Sequence, residues 1–226
     1  MSFLDLVLLF AVGSVLGVVI ETVFVYAVRG RLESRRGMVY GPFNQVYGFG
    51  VVLMTVLLGW LGKESGFVLF VCSAVLGGLF EATCSFCQEK IYGTVSWDFS
   101  RQNFSILGGR SNIIYMLYWG LLGFVYVRNL YPWLSALFGE IPLSIKTPVV
   151  VSLTIFFVYN LWLSHVAVRR WNRRRNGAAA SGKLDSWLDN HFYKERMQKI
   201  YPSMVAAKKT EWIRRNGAEI AATSVH

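Results

Sequence analysis

Long apolar segments constrain the fold of this chain more than any other feature of its sequence. Five of them, separated by short polar stretches, begin at about Phe3, Met38, Phe67, Arg110 and Pro148. A helix needs about 20 apolar residues to cross the hydrocarbon layer of a membrane. With 54% hydrophobic and only 16% charged residues, the chain is too apolar for an ordinary soluble domain. The sequence predicts an all-α, polytopic helical membrane protein and not a barrel of short alternating strands.

The predicted organisation is a transmembrane bundle over residues 1–168 and a basic tail over 169–226. The spans are expected at about 3–28, 47–61, 67–87, 110–127 and 148–166. Gly41-Pro42 and the glycines after them predict an irregular segment before the second span, buried in protein or lining a cavity. Residues 128–140 are expected to form a loop with interfacial aromatic residues. In the tail, two amphipathic helices, at about 183–200 and 206–221, are expected to lie on the inner membrane face.

The first four spans contain an internal duplication. Val15-Leu16-Gly17 followed by Glu21 matches Val75-Leu76-Gly77 followed by Glu81, sixty residues later. The predicted units cover about 5–62 and 67–127, each a helix, a loop and a second helix. At the same spacing the Gly-rich run 41–50 falls opposite 101–110, so only the second unit carries Arg110.

The charge distribution predicts the orientation in the membrane. The chain has a net charge of +10, and residues 167–226 hold 13 Lys and Arg against 5 Asp and Glu. The loop after the first span contains four arginines, and loops facing the cytoplasm are rich in Lys and Arg. We expect a multi-pass protein of the cell membrane with its N-terminus outside and its C-terminus in the cytoplasm. No nucleic-acid motif accompanies the basic tail, and we expect no nucleic-acid partner.

Charged residues inside the apolar segments are the candidate functional residues. A carboxylate at the centre of a membrane costs about 2.5–3.5 kcal/mol on insertion scales, so it usually pairs or faces a polar cavity. Glu21 and Glu81 lie at the same height in the first and third spans, and Asp98 and Arg110 come from a loop on that side. These residues predict one polar cavity open to the cytoplasm. The alternative is an architectural ion pair between a glutamate and Arg110, with Asp98 as a helix cap.

Other chemistry has weaker support in the sequence. The chain lacks the phosphate-binding, nucleophile and zinc-protease motifs that carry a recognisable mechanism, so we expect no bound nucleotide or other cofactor. Cys84 and Cys87 have the spacing of a metal or redox pair, but no second pair or histidine accompanies them. We expect no metal site.

Several short motifs resemble a known family of bacterial multipass membrane proteins, the CmpB-like type IV ABC-transporter proteins. The matching pieces cover residues 5–128: Glu21, 36–42, 46–50, Glu81, Trp97-Asp98-Phe99-Ser100, Asn103-Phe104, Gly109-Arg110 and Trp119-Gly120. Where this chain has Phe99 the family usually has Tyr, and it has Arg101-Gln102-Asn103 in place of Pro-Phe-Asn. The resemblance implies a transport role, and the basic tail has no counterpart in it. The candidate binding residues are Glu21, Tyr47, Glu81, Trp97, Asp98, Asn103 and Arg110.

Two classes of function, with a third below them, follow from these observations. The first is a transporter or permease component whose polar site lies between the repeats, with a separate ATPase subunit as its partner. The second is a membrane-embedded enzyme acting on a lipid or a polar headgroup, with Glu81 or Asp98 as acid or base. The third is a structural or partner subunit. Membrane lipids are expected partners of all three, and a homodimer is expected because five spans make a thin bundle.

Overall fold

The structure is a computed structural model that describes residues 2–207. Helices α1 (Phe3–Arg29), α2 (Gln45–Leu58) and α3 (Gly66–Tyr92) are followed by α4 (Ile113–Val125) and α5 (Tyr131–Glu140). Helix α6 (Leu143–Arg175) completes the bundle, and α7 (Lys183–His191) and α8 (Lys194–Ile200) form the tail. Four two-residue strands lie outside the helices: β1 (Thr94–Val95), β2 (Ser105–Ile106), β3 (Ser111–Asn112) and β4 (Val205–Ala206). Five helical segments are long and apolar enough to cross a membrane, which confirms the predicted all-α, multi-pass architecture.

Two antiparallel helix pairs form most of the bundle, and we call them the first hairpin (α1 and α2) and the second hairpin (α3 and α4). In each, a bulky ring lies directly on a glycine of the partner helix. A Cβ atom built on Gly17 would lie 2.2 Å from the Tyr47 ring, and one on Gly77 would lie 2.4 Å from Trp119. The Tyr47 and Trp119 rings then stack on each other, with centroids 5.5 Å apart, and join the two hairpins.

The shared packing pattern also shows where the predicted repeat spacing fails. Gly48 faces Phe10 and Ser14 as Gly120 faces Phe70 and Ala74. The first helices are therefore related by 60 residues, but the second helices are related by 72. The expected alignment of Gly50 with Arg110 is wrong, because the loop of the second hairpin contains additional residues.

The fourth and fifth spans are longer than the sequence predicts. Helix α4 continues through a π-helical turn (Tyr126–Leu130) into α5, so the loop expected at 128–140 is helical. Pro132 lies in the first turn of α5, where a missing backbone N–H is tolerated. Helix α6 begins at Leu143 and ends at Arg175, and its last two turns extend beyond the predicted span to meet the tail.

We call the end of the bundle that carries the loops of both hairpins and the C-terminus of α6 the tail end. At the opposite end, the buried Lys146 ammonium of α6 donates to Asp5 of α1 and to the carbonyl of Phe138. From its position at the start of α1, Asp5 is expected only to lie near water. In the structure it is also the partner of a buried cation. This contact holds the beginnings of α1 and α6 together.

The tail folds back onto the bundle. Helices α7 and α8 bury Leu188, Phe192, Met197 and Ile200 against Leu163, Ala167, Val168 and Trp171 of α6. Strand β4 pairs antiparallel with β1, which directly follows α3. The helix predicted over 183–200 is therefore two helices, and protein, not membrane, covers most of their apolar face. The helix predicted at 206–221 lies outside the described residues, apart from its first two positions.

Candidate functional site

Glu21 and Glu81 project from neighbouring hairpins, and each has a partner within its own hairpin. Tyr47 of α2 is the hydrogen-bond partner of Glu21. The Ser111 hydroxyl, at the start of α4, donates to Glu81 over 3.2 Å. The two carboxylates are also close enough that the charge of Glu21 acts on Glu81. Both predicted glutamates and Tyr47 therefore belong to one polar cluster, which we call the carboxylate cluster.

A cation from the loop of the first hairpin, Arg35, acts on this cluster. Its charge acts on both Glu21 and Tyr47. The Arg35 side chain is only 12% exposed, and its Nε atom has no hydrogen-bond partner among residues 2–207. Its two terminal nitrogens reach Glu33 and Ser203, each over 3.4 Å. A buried guanidinium beside Glu21 lowers the cost of keeping that carboxylate charged.

Arg110, the cation that the sequence favoured, has a different partner. Its guanidinium forms an ion pair of 2.5 Å with Glu89, two turns beyond Glu81 on α3. It also lies over the Phe86 ring, 5.4 Å from the centroid. The expected pairing of Arg110 with a glutamate at the centre of the site is replaced by a pairing at the end of α3. This contact ties the second loop to the helix that precedes it.

The remaining predicted residues of the second loop stabilise the loop itself. Trp97 Nε1 donates to the carbonyl of Arg110 over 3.3 Å. Asp98 accepts the backbone N–H of Ser100 over 3.1 Å. Asn103 is exposed, and its carbonyl accepts the side-chain amide of Asn112, the N-cap of α4, over 2.8 Å. No contact described above brings Trp97, Asp98 or Asn103 to the carboxylates, so their binding role stays a prediction.

The order of elements explains why the carboxylate cluster forms at the tail end. Asn44 caps α2 by accepting the N–H of Val46, and Asn112 caps α4 in the same way with Ile114. Each cap fixes the point at which its loop returns to the bundle, close to the glutamate of the preceding helix. The first loop is held from outside its hairpin as well. Asn160 of α6 pairs with both backbone groups of Tyr40, at 3.2 and 2.9 Å.

Sequence reasoning did not find Arg35 or Ser111 as members of this cluster. In the sequence, Arg35 is one of four arginines that together predict a cytoplasmic first loop. Nothing in the local sequence distinguishes it from the other three. Ser111 follows Arg110 directly, and the expected spacing of 60 residues drew attention to the arginine. The aromatic-glycine pairs Tyr47-Gly48 and Trp119-Gly120 are 72 residues apart, and this spacing aligns α2 with α4 as they pack in the structure.

The comparisons with known proteins agree with this architecture. A family model described as "Putative ABC-transporter type IV" matches residues 8–165, which include both hairpins and most of α6. No curated protein and no solved structure matches the chain. The matched region covers more than half of the sequence, and the chain belongs to this family. It is a multi-pass membrane protein related to ABC transporters, and its tail, α7 and α8, lies beyond the matched region.

Proposed function

We propose that this member of the type IV ABC-transporter family is the membrane component of a transporter, with a solute site at the carboxylate cluster. The observation that supports the proposal most strongly is that Glu21 and Tyr47 of the first hairpin interact electrostatically with Glu81 of the second. Intramembrane ionisable residues commonly mark solute or ion pathways, and sites between repeats are typical of transporters. The match to the family supports the same class of function.

The chemistry of the cluster indicates the kind of solute. Two carboxylates, a tyrosine hydroxyl and a serine hydroxyl are acceptors for a cationic or hydrogen-bond-donating group. Arg35, whose charge acts on Glu21, offers a place for an anionic group of the same molecule. A small amine or a zwitterion fits two carboxylates, two hydroxyls and one guanidinium better than an anion alone. The chain would work with a separate ATPase subunit that supplies the nucleotide-binding domain.

The orientation proposed for this role places the tail end in the cytoplasm and the N-terminus outside. The four arginines of the first loop and the basic end of α6 support it. A single cysteine introduced at Ser65, at the opposite end of the bundle, should react with an impermeant thiol reagent from outside the cell. Reaction only after the membrane is opened would reverse the orientation.

A ligand screen on the purified full-length protein tests the site. Small amines, amino acids and inorganic cations would be compared by their effect on the melting temperature. We expect a ligand that stabilises the natural protein and loses its effect in Glu21→Gln and Glu81→Gln. Glu89→Gln is the matched control, because Glu89 lies on the same helix but pairs with Arg110. Equal loss in the control, or a ligand indifferent to both glutamates, would contradict a site at the cluster.

A further inference from the structure

We propose that a groove beside α1 at the tail end binds one anionic phospholipid, with its phosphate on Arg36 and an acyl chain along α1. The groove has a volume of about 550 Å³ and lies between the helix surface at Val18 and Thr22 and the folded first loop. Neither glutamate of the carboxylate cluster lines it, although Arg35, whose charge acts on Glu21, does. The inference does not depend on the transport role.

The charges of the first loop leave Arg36 available for an external anion. Glu33, the only carboxylate of this loop, pairs with Arg29 at 3.4 Å, Arg31 at 2.7 Å and Arg35 at 3.4 Å. Arg36 lines the groove and makes no side-chain hydrogen bond or ion pair within residues 2–207. A guanidinium binds phosphate through two parallel hydrogen bonds, which gives it a preference for phosphate over other anions.

The polarity of the groove changes along its length as it does along a phospholipid. Its lower wall is the surface of α1 at Val18 and Thr22, on a helix long enough to cross a membrane. Its upper wall is the loop that begins where α1 ends, with Leu32 76% exposed beside the polar residues. Headgroup phosphates lie at the ends of membrane-spanning helices, at the level of Arg36. A free phosphate would use only the upper wall, so the whole groove fits a lipid better.

Charge variants of the purified full-length protein test the headgroup contact. Binding of dioleoyl phosphatidylglycerol and of dioleoyl phosphatidylcholine would be measured by native mass spectrometry in detergent. We expect phosphatidylglycerol to bind more tightly, and Arg36→Gln to weaken it about tenfold or more, as for a lost charged hydrogen bond. Arg31→Gln removes the same charge from the same loop outside the groove and should weaken it at most about fivefold, by the general surface potential.

Steric variants test the acyl contact without changing any charge. Thr22→Phe fills the groove, whereas Val23→Phe adds the same ring at the next residue, which is 62% exposed and does not line the groove. We expect Thr22→Phe to lower phosphatidylglycerol occupancy severalfold and Val23→Phe to leave it unchanged. Equal binding of the two lipids, equal loss in Arg36→Gln and Arg31→Gln, or full competition by inorganic phosphate would each overturn the proposal.

Discussion

The two hairpins have the same helix packing, but their loops are stabilised in different ways. Both place a ring on a glycine, Tyr47 on Gly17 and Trp119 on Gly77, and both begin their second helix with an asparagine cap. The loop of the second hairpin forms most of its contacts within its own hairpin. Strands β2 and β3 pair with each other, and Phe99 N–H donates to the carbonyl of Gly109 over 2.9 Å.

The loop of the first hairpin depends on distant parts of the chain. Val39 N–H donates to Ser164 of α6 over 2.9 Å, and Ser34 donates to the carbonyl of Ile200 in the tail over 3.3 Å. Tyr201 donates to the carbonyl of Gly37 over 3.1 Å. The difference means that the surroundings of Glu21, including Arg35, depend on α6 and the tail. The hydrogen bond of Ser111 with Glu81 lies within the second hairpin, although β1, at the start of the second loop, also pairs with β4 of the tail. A change in the position of the tail is therefore expected to alter the surroundings of Glu21 through the first loop.

The glycine contacts that the hairpins share should produce the largest effect. Gly17→Ala and Gly77→Ala each place a methyl group within 2.5 Å of an aromatic ring that already packs on its neighbour. We expect each to lower the free energy of unfolding by up to about 3 kcal/mol, as overpacked cores do. Gly139→Ala is the control, since a Cβ there meets no atom within 4 Å. Thermal unfolding in detergent measures all three, and a large effect in only one hairpin would break the comparison.

A variant of α6 should affect the first loop and spare the second. Asn160 is fully buried, and Asn160→Leu leaves the N–H and carbonyl of Tyr40 without their partners. We expect a loss of about 2 kcal/mol, since each buried unsatisfied group costs about 1–3 kcal/mol. Hydrogen exchange should become faster in residues 37–43 and stay unchanged in 97–110. Tyr159→Leu places the same residue on α6 at the adjacent, half-exposed position and is the control, and faster exchange in both loops would contradict the difference between them.

The sequence predicts the parts of this molecule that depend on composition and local pattern. Apolar runs located all five spans, although the fourth ends at Glu140 and the fifth at Arg175, well beyond the predicted ends at 127 and 166. Charge inside those runs identified Glu21 and Glu81. The irregular segment predicted over 41–50 is confined to 41–44, where Gly41 has a φ of +71° in the left-handed region, because α2 begins at Gln45. The pairing of Arg110 and the docking of the tail could not be found in this way, because they depend on contacts between distant segments.

The tail contact explains why such features escape a sequence reading. Arg170 and Asp189 are 19 residues apart and lie on different helices, and only the fold brings Arg170 Nη2 to within 2.6 Å of the carboxylate. In the sequence, the arginines of α6 are a basic patch typical of a cytoplasmic helix end. In the structure α7 packs on α6, and Arg170 and Arg174 of α6 bind Asp189 of α7.

Acidification should release the tail and so weaken the first loop, with a smaller effect than either substitution above. The hydrogen bond and charge of Arg170, together with the charge of Arg174, lower the pKa of Asp189. Because the folded pKa lies below the unfolded value of about 3.9, this contribution is complete above that pH and is lost as the pH falls through the folded pKa. We expect Asp189→Asn to lower the free energy of unfolding by about 1 kcal/mol near pH 7, and to leave it unchanged well below the folded pKa of Asp189. Melting temperatures measured from pH 7 downwards check this, with the exposed Glu195→Gln as control. A difference between the natural protein and Asp189→Asn that does not shrink once the pH falls below about 3.9 would contradict it.

The central claim is that Glu21 and Glu81, from different hairpins, belong to one site. A double-mutant cycle on the free energy of unfolding, with Glu21→Gln, Glu81→Gln and the double variant, tests this without any knowledge of the solute. The account predicts that the two changes are non-additive by more than about 0.5 kcal/mol, because the charge of Glu21 acts on Glu81. The parallel cycle of Glu81→Gln with the exposed Glu64→Gln should be additive. Additivity in the Glu21 and Glu81 cycle would contradict a shared site.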